Sequence, residues 1–261
     1  MSDWLHSLPV VGMAVVVFGL IYLASAAIYV VVMAFANAGW ARAFKAVSPG
    51  ILSPLGILCG LFIAFTAAQV WSDNDRAAVA VNHEASALRA VIIFAADLPE
   101  DLRARLHALL HRHIEDAVDR EWPMMAKGTA TLSSSPRALA EAMQLTLALA
   151  PTGAGQQTAQ RKIVSALESA LDARRQRILI SQSQVNAVKW SCLLLQAACV
   201  LLVIALIHSD SRAATAIGMG LFATGVAVSV LLIAAYDRPF IGQLAIGPAP
   251  LLQIMPGLEA G

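Results

Sequence analysis

The sequence has few charged residues: 13% of its 261 residues are Asp, Glu, Lys or Arg, whereas a soluble domain carries about 25%. Residues 72–189 carry 27 of the 35 charged side chains. This distribution predicts a protein that is part membrane-embedded and part water-facing. Because the formal net charge is only +1 and no basic tract interleaved with aromatic residues is present, we expect no nucleic-acid partner.

The sequence also has few cysteines and none of the common catalytic motifs. Its three cysteines fall in apolar runs without paired spacing, which argues against a disulfide or a cysteine metal site. It has no HExxH, Walker loop, dinucleotide fingerprint or GxSxG elbow, so we expect neither an enzyme nor a cofactor. His107, His111 and Glu115 share a helix face, but zinc prefers a fuller ligand set. We interpret them as solvated helix surface and expect no metal.

Four apolar runs are long enough to cross a bilayer, which needs about 20 residues. They are Val10–Ala36, Ile51–Trp71, Trp190–Ile207 and Ala213–Tyr236. None of them contains Asp, Glu, Lys or Arg. Proton relays and ion-coupled transporters usually place ionisable groups inside the membrane. The sequence therefore favours a passive pathway over a pump.

Lysine and arginine near the predicted membrane ends indicate the orientation of these crossings. Four crossings place both termini and the middle block on one side. That side carries Arg76, Arg89, Arg174, Arg175, Arg177, Lys189 and Arg238, and the other carries Arg42, Lys45 and Arg212. By the positive-inside rule, the first side is cytoplasmic.

The hydrophobic periodicity predicts an all-α protein with a cytoplasmic helical domain formed by long extensions of helices 2 and 3. One helix runs from Ile51 to about Ala96, and another runs from about Gln156 unbroken into the third crossing. Between them, a helix begins after Pro99 and ends near Trp122, before Pro123. The predicted domains are transmembrane helices 1 and 2 (1–71), the cytoplasmic helical domain (72–189), a transmembrane hairpin (190–236) and a cytoplasmic tail (237–261).

Two groups of residues are candidates for an ion pathway. Leu58, Phe62, Phe65 and Gln69 share one face of the second crossing. In an oligomer this face can form a hydrophobic constriction that gates by dewetting, although lipid contact also explains such phenylalanines. Gly56 and Gly60 allow a close helix approach there.

The second group is basic. Arg174, Arg175 and Arg177 cluster on the extension of the third crossing and can attract anions near a vestibule. The alternative is that they pair with Glu84, with Asp73 or with lipid phosphate.

A distinctive motif, Asp237-Arg238-Pro239-Phe240-Ile241-Gly242, follows the fourth crossing, with Pro248 and Pro250 after it. Further short motifs are Glu84, Leu98-Pro99, Glu121-Trp122-Pro123, and Arg174 with Arg177. As a set, these motifs resemble the bestrophin-like domain family of bacterial membrane proteins. Pro239 stops the fourth helix, and Gly242 permits an unusual backbone angle.

The resemblance implies a multi-pass protein of the bacterial inner membrane. By remoter analogy with bestrophins, which are pentameric chloride-selective channels, it implies a homo-oligomer whose second helices surround an anion pore. Phe62 and Phe65 match its hydrophobic neck. The acidic calcium-binding cluster of animal bestrophins is not recognisable around Asp237. The expected partners are the lipid bilayer, inorganic ions and further copies of the chain. The alternative function is a non-conducting scaffold or sensor that binds a cytoplasmic partner through its helical stalks.

Overall fold

Helices make up the computed structural model, which describes residues 8–44, 46–133 and 136–255. In chain order they are α1 (Val10–Phe35), α2 (Ala41–Phe44), α3 (Leu52–Ala95), α4 (Glu100–Asp116), α5 (Trp122–Ala126), α6 (Arg137–Leu147), α7 (Ala154–Ser181), α8 (Ala187–Ile207), α9 (Arg212–Tyr236) and α10 (Ala249–Leu252). Two π-helical turns, Ala36–Trp40 and Ala117–Glu121, and a 3₁₀ turn, Pro49–Ile51, complete the set. No strand occurs among the described residues, and the predicted all-α fold is confirmed.

The described residues divide into two units. The first unit draws on Met1–Ser72, Gln184–Arg238 and Gly242–Leu244, and the second on Asp73–Ser183, Pro239–Ile241 and Ala245–Gly261. The outer ends of the predicted first and last domains, residues 1–7 and 256–261, lie outside the described residues.

Among the described residues, four helices are long and apolar enough to cross a membrane, as predicted. They are Val10–Ala38, Pro49–Ala95, Ala187–Ile207 and Arg212–Tyr236. In the first unit, α1, α8 and α9 pack against one another. Their buried side chains form one apolar core, to which α3 adds Cys59 and Val70.

The extension of the second crossing is a single helix. Ser48 begins it by accepting a hydrogen bond from the Gly50 N–H at 3.3 Å, and Pro49 follows, because proline is tolerated in a first helical turn. From Leu52 to Ala95 the helix has 44 residues and is about 66 Å long. Within the second unit its apolar stripe is buried, with Val81 and Leu88 fully inaccessible.

The extension of the third crossing is present as α7, but its predicted continuity with the crossing is wrong. The helix ends at Ser181, and α8 begins only at Ala187. Asn186 caps α8 by accepting a hydrogen bond from the Lys189 N–H at 2.9 Å. The Val185 N–H donates to Asp237 Oδ1 at 2.6 Å. These side-chain acceptors replace helical ones, and the apolar periodicity, which continues through Val185, does not reveal them.

The helix predicted to end near Trp122 continues to Ala126. Pro123 has no N–H and its ring crowds the preceding turn. The chain accommodates it with the π-helical turn, in which the Trp122 N–H bonds to the Ala117 carbonyl, five residues back. Proline therefore widens this helix and does not stop it.

Candidate functional site

The predicted pore-lining row lies on the apolar part of α3, in the first unit. Leu58 is 56% exposed and Phe65 is 72% exposed. Phe62 is partly buried against the first unit's apolar core. Gln69 is exposed, and its Oε1 accepts a hydrogen bond from Lys189 Nζ at 2.5 Å. The row thus leaves two large apolar side chains without cover from their own chain.

The small-residue pair on the same helix is also uncovered. A Cβ added to Gly56 or Gly60 would meet no described atom within 4 Å beyond the helix's own backbone. The close helix approach predicted at these glycines is therefore not made with another described segment of this chain. A neighbouring molecule, lipid or protein, is needed to fill that space.

A buried charge cluster lies in the second unit, and Glu84 is at its centre. Arg177 holds this carboxylate with two bonds: Nε reaches Oε2 at 2.7 Å and Nη2 reaches Oε1 at 3.1 Å. His113 Nε2 lies 3.0 Å from Glu84 Oε1. The same Arg177 Nη2 donates to Glu121 Oε2 at 2.9 Å. We call Glu84, His113, Glu121, Arg174 and Arg177 the charge cluster.

The three arginines proposed to attract anions have different environments. Arg174 is buried and donates from Nε to Glu121 Oε1 at 2.7 Å. Arg177 is fully buried between Glu84 and Glu121. Arg175, between them in sequence, is exposed. Pairing with Glu84, the alternative for these arginines, describes Arg177, so Arg175 is the member of the set that presents its charge to solvent.

Electrostatics keeps Glu84 and Arg177 ionised despite their burial. Glu84 is outside the predicted membrane crossing Ile51–Trp71, in the part of α3 that belongs to the second unit. Burial alone would raise the pKa of its carboxyl, but the Arg177 charge and the hydrogen bonds from His113 and Arg177 outweigh burial and hold that pKa at about 2. Burial lowers the pKa of Arg177, but the Glu84 and Glu121 carboxylates raise it by more. The net result is a pKa above the ordinary value for arginine. A buried ion pair with satisfied hydrogen bonds fixes the relative positions of its helices. Here it joins α3, α4, the π-helical turn and α7.

Aromatic side chains cover this cluster. The Arg177 guanidinium carbon lies 4.6 Å from the Trp122 ring centroid, a cation–π distance. Trp122 also packs edge-on against Phe240, with ring centroids 5.9 Å apart, and its Nε1 donates to the Ile246 carbonyl at 3.1 Å. Glu121, Trp122 and Phe240, noted first as family motifs, therefore have a common structural role.

The tail motif takes the predicted shape. Helix α9 ends at Tyr236, two residues before Arg238 and three before Pro239. Gly242 has a φ of 90°, which favours glycine over any residue with a Cβ. Asp237 is buried and, as described above, accepts the Val185 N–H.

His113 is the member of the charge cluster that sequence reasoning missed. A signal for it was present: Leu106, Leu110, His113 and Ala117 recur at helical spacing on the buried face of α4 and its π-helical turn. A histidine on a buried face needs a polar partner. Of the three residues on the other face of α4, His111 and Glu115 lie together, with Nδ1 3.5 Å from Oε2. Among the described residues, no group of three His, Cys, Asp or Glu could hold a metal ion.

The comparisons with known proteins agree with this architecture. The profile of the bestrophin-like domain matches residues 19–251. The fold is similar to a crystal structure of a bacterial bestrophin homologue from Klebsiella pneumoniae, determined by zinc phasing, with a TM-score of 0.68 and 13% identity over 90% of this chain and 94% of that chain. A point variant of the same homologue gives a TM-score of 0.69 and 15% identity over 93% and 97% of the two chains. No curated protein matches the sequence. The chain is a membrane protein that belongs to the bestrophin-like domain family.

Proposed function

We propose that this protein is a homo-oligomeric, passive ion channel that favours anions, with the second crossing of each copy facing a common axis. The observation that carries the proposal is the uncovered face of α3. Only 11% of the 18-residue apolar stretch of the second crossing is buried within the chain, against 39% of the corresponding stretch of α8. Of the four apolar helices, α3 depends most on neighbours outside its own chain.

The chemistry of this face supports a passive pathway. Leu58, Phe62 and Phe65 form an apolar row without a charge. A ring of such side chains around an axis excludes water when narrow, so small changes in diameter can gate ion flow. Because the four predicted crossings contain no Asp, Glu, Lys or Arg, coupling to protons has no intramembrane carrier.

Two observations favour anions. Lys189 Nζ contacts Gln69 at one end of the row, and Arg175 is exposed on α7. Repeated by symmetry, these cations raise the local concentration of anions. Membership of the bestrophin-like family supports the same selectivity by analogy with bestrophins.

The test is ion flux from purified protein in liposomes, with chloride and potassium gradients compared and the oligomeric mass measured in the same preparation. We expect chloride flux from a closed oligomer, and altered conductance for Phe62→Ala and Phe65→Ala. The matched control is Phe35→Ala, because Phe35 is 52% exposed but lies on α1. It should leave conductance unchanged.

Two results would overturn the proposal. An inert wild type across salts and voltages, isolated as a monomer, would favour the scaffold or sensor. Leu88 on α3 and Leu167 on α7 are fully buried, so these apolar side chains offer no surface on the stalks to a cytoplasmic partner. Equal conductance changes for all three phenylalanine variants would remove the pore from α3.

We place the protein in the bacterial inner membrane, with both termini and the predicted domain 72–189 in the cytoplasm. The support is the excess of lysine and arginine on that side of the predicted crossings. A thiol-reactive, impermeant probe tests this orientation. A cysteine introduced at Ser169, which is exposed, should react in opened but not in intact cells, whereas one at Asp210 should react in both.

A further inference from the structure

We propose that the second unit contains a binding site for a small multivalent oxyanion, a molecule bearing two or more phosphate or carboxylate groups. The site is a cleft with a volume of about 510 Å³, which is within the usual size range of small-molecule pockets. Its charged lining residues are Arg112, Asp116, Arg120, Glu121, Arg137 and Arg174. The inference does not depend on conduction, because its test contains no ion flow.

The charge of the lining selects the class of ligand. Four arginines face two carboxylates, so these six side chains give the lining a formal net charge of +2. A concave surface with one excess sign concentrates ligands of the opposite sign. Guanidinium groups also match phosphate and carboxylate oxygens with paired hydrogen bonds.

Two of these arginines make no ion pair or hydrogen bond within the described part of the chain. Arg174 is engaged by Glu121, and Arg120 Nη1 lies 3.4 Å from Asp116 Oδ1. Arg112 and Arg137 are exposed, and within the described part of the chain neither has an ion-pair or hydrogen-bond partner. Their charges are therefore available to a ligand without breaking a contact of the fold.

A helix terminus opens on the same cleft. Helix α6 begins at Arg137, and Arg137 and Ala138 both line the cleft. No described side chain caps this terminus, and its first turn has no acidic residue. The first N–H groups of a helix lack internal partners and carry a partial positive charge. They add anion donors next to an unpaired arginine.

The positions of the donors favour a ligand with more than one acidic group. Arg112 belongs to α4, whereas Arg137 and the first-turn N–H groups belong to α6. The Arg174–Glu121 pair, which belongs to the charge cluster, forms a fixed wall of the cleft. A ligand with two anionic groups can join α4 and α6, which already pack together.

The test is ligand binding to the full chain in detergent, by calorimetry and by the shift in melting temperature, with pyrophosphate and citrate as separate probes. We expect saturable binding that raises the melting temperature. Arg112→Gln and Arg137→Gln should each weaken binding about tenfold or more, and the double variant should abolish it. Arg161→Gln is the matched control, because Arg161 is exposed on α7 and does not line the cleft; it should bind as the wild type does.

The two probes separate the sources of the oxyanion. Binding of pyrophosphate alone assigns a phosphate-bearing ligand, and binding of citrate alone assigns a polycarboxylate. Binding of both supports the shared chemistry. The proposal is overturned if neither probe binds, if the double variant binds as well as the wild type, or if sodium chloride at the same ionic strength gives the same shift.

Discussion

The two units differ in how their helices are held in place. The second unit encloses a set of full charges, with Glu84 and Arg177 completely inaccessible. The first unit has an apolar core, yet one of its helices leaves Leu58 and Phe65 exposed. In the second unit, Glu84 and Arg177 are each other's partners inside the chain. In the first unit, an apolar face remains exposed that lipid or another copy must cover.

The buried contacts of the second unit determine how its helices fold, whereas the uncovered face in the first unit bears on how the chain associates with neighbouring molecules. Buried ion pairs add little net stability compared with apolar residues, but removing one partner is strongly destabilising. The charge cluster therefore ties α3, α4 and α7 to one arrangement. An uncovered apolar face does not constrain how its own chain folds. It limits which neighbouring helix can pack against it once a second molecule is present. We expect mutations in the second unit to change folding, and mutations on the open face of α3 to change assembly or conduction.

The largest expected effect is from Arg177→Met. Without the guanidinium, Glu121 retains Arg174, but the fully buried Glu84 retains His113 alone of its partners in the charge cluster. Loss of the cation that balances Glu84 should reduce the free energy of unfolding by about 3–5 kcal/mol. Thermal unfolding followed by tryptophan fluorescence measures the loss, since Trp122 covers the cluster. Arg175→Met is the matched control, because Arg175 is exposed on the same helix. Equal melting temperatures for the two variants would contradict a special role for the cluster.

The next effect is a loss of stability in acid. The pKa of Glu84 is about 2 in the folded protein, against an ordinary value of 4.5. The unfolded state therefore binds a proton first as the pH falls. The stabilisation is complete above about pH 4.5 and is lost as the pH falls toward 2, with a total on the order of 3 kcal/mol.

Comparison of wild type with Glu84→Gln isolates this contribution from the other carboxylates. Unfolding midpoints are measured from pH 6 to pH 3. The glutamine variant starts from a lower stability, so the slope with pH is the informative quantity. We expect a shallower slope for Glu84→Gln, and parallel curves would contradict the prediction.

A smaller effect is expected at the turn that ends α9 in the first unit. Asp237→Asn keeps an oxygen for the Val185 N–H but removes its charge. Hydrogen bonds to charged groups contribute about 1.5–3 kcal/mol, and neutral ones about half that, so a loss of about 1 kcal/mol is expected. Asp210→Asn, at an exposed position between α8 and α9, should change the unfolding midpoint less. The reverse order would remove Asp237 from the set of structural anchors.

The sequence predicts what depends on local pattern. Four apolar runs and a 3.6-residue periodicity identify the crossings and the all-α class, because length and amphipathicity are local properties. The break at Asn186 depends on Asp237, which is distant in sequence, so periodicity cannot show it. The pairing of Arg177 with Glu84 spans 93 residues. Pairing was an open alternative from the charge pattern, whereas the place of His113 beside Glu84 requires tertiary packing.

The smallest expected change in stability is from Phe65→Ala, and this variant tests the comparison most directly. Since Phe65 is 72% exposed, its truncation leaves no cavity, and the free energy of unfolding should change by less than about 0.5 kcal/mol. Leu193→Ala, on buried α8 with 1% exposure, should reduce it by about 2–5 kcal/mol. Guanidinium unfolding in detergent measures both. A side chain that lines the central axis stays uncovered by protein in the assembled oligomer, so conductance should change while stability does not. A loss comparable to that of Leu193→Ala would instead show that Phe65 packs in an interface between copies, and the constriction would then belong to another face of α3.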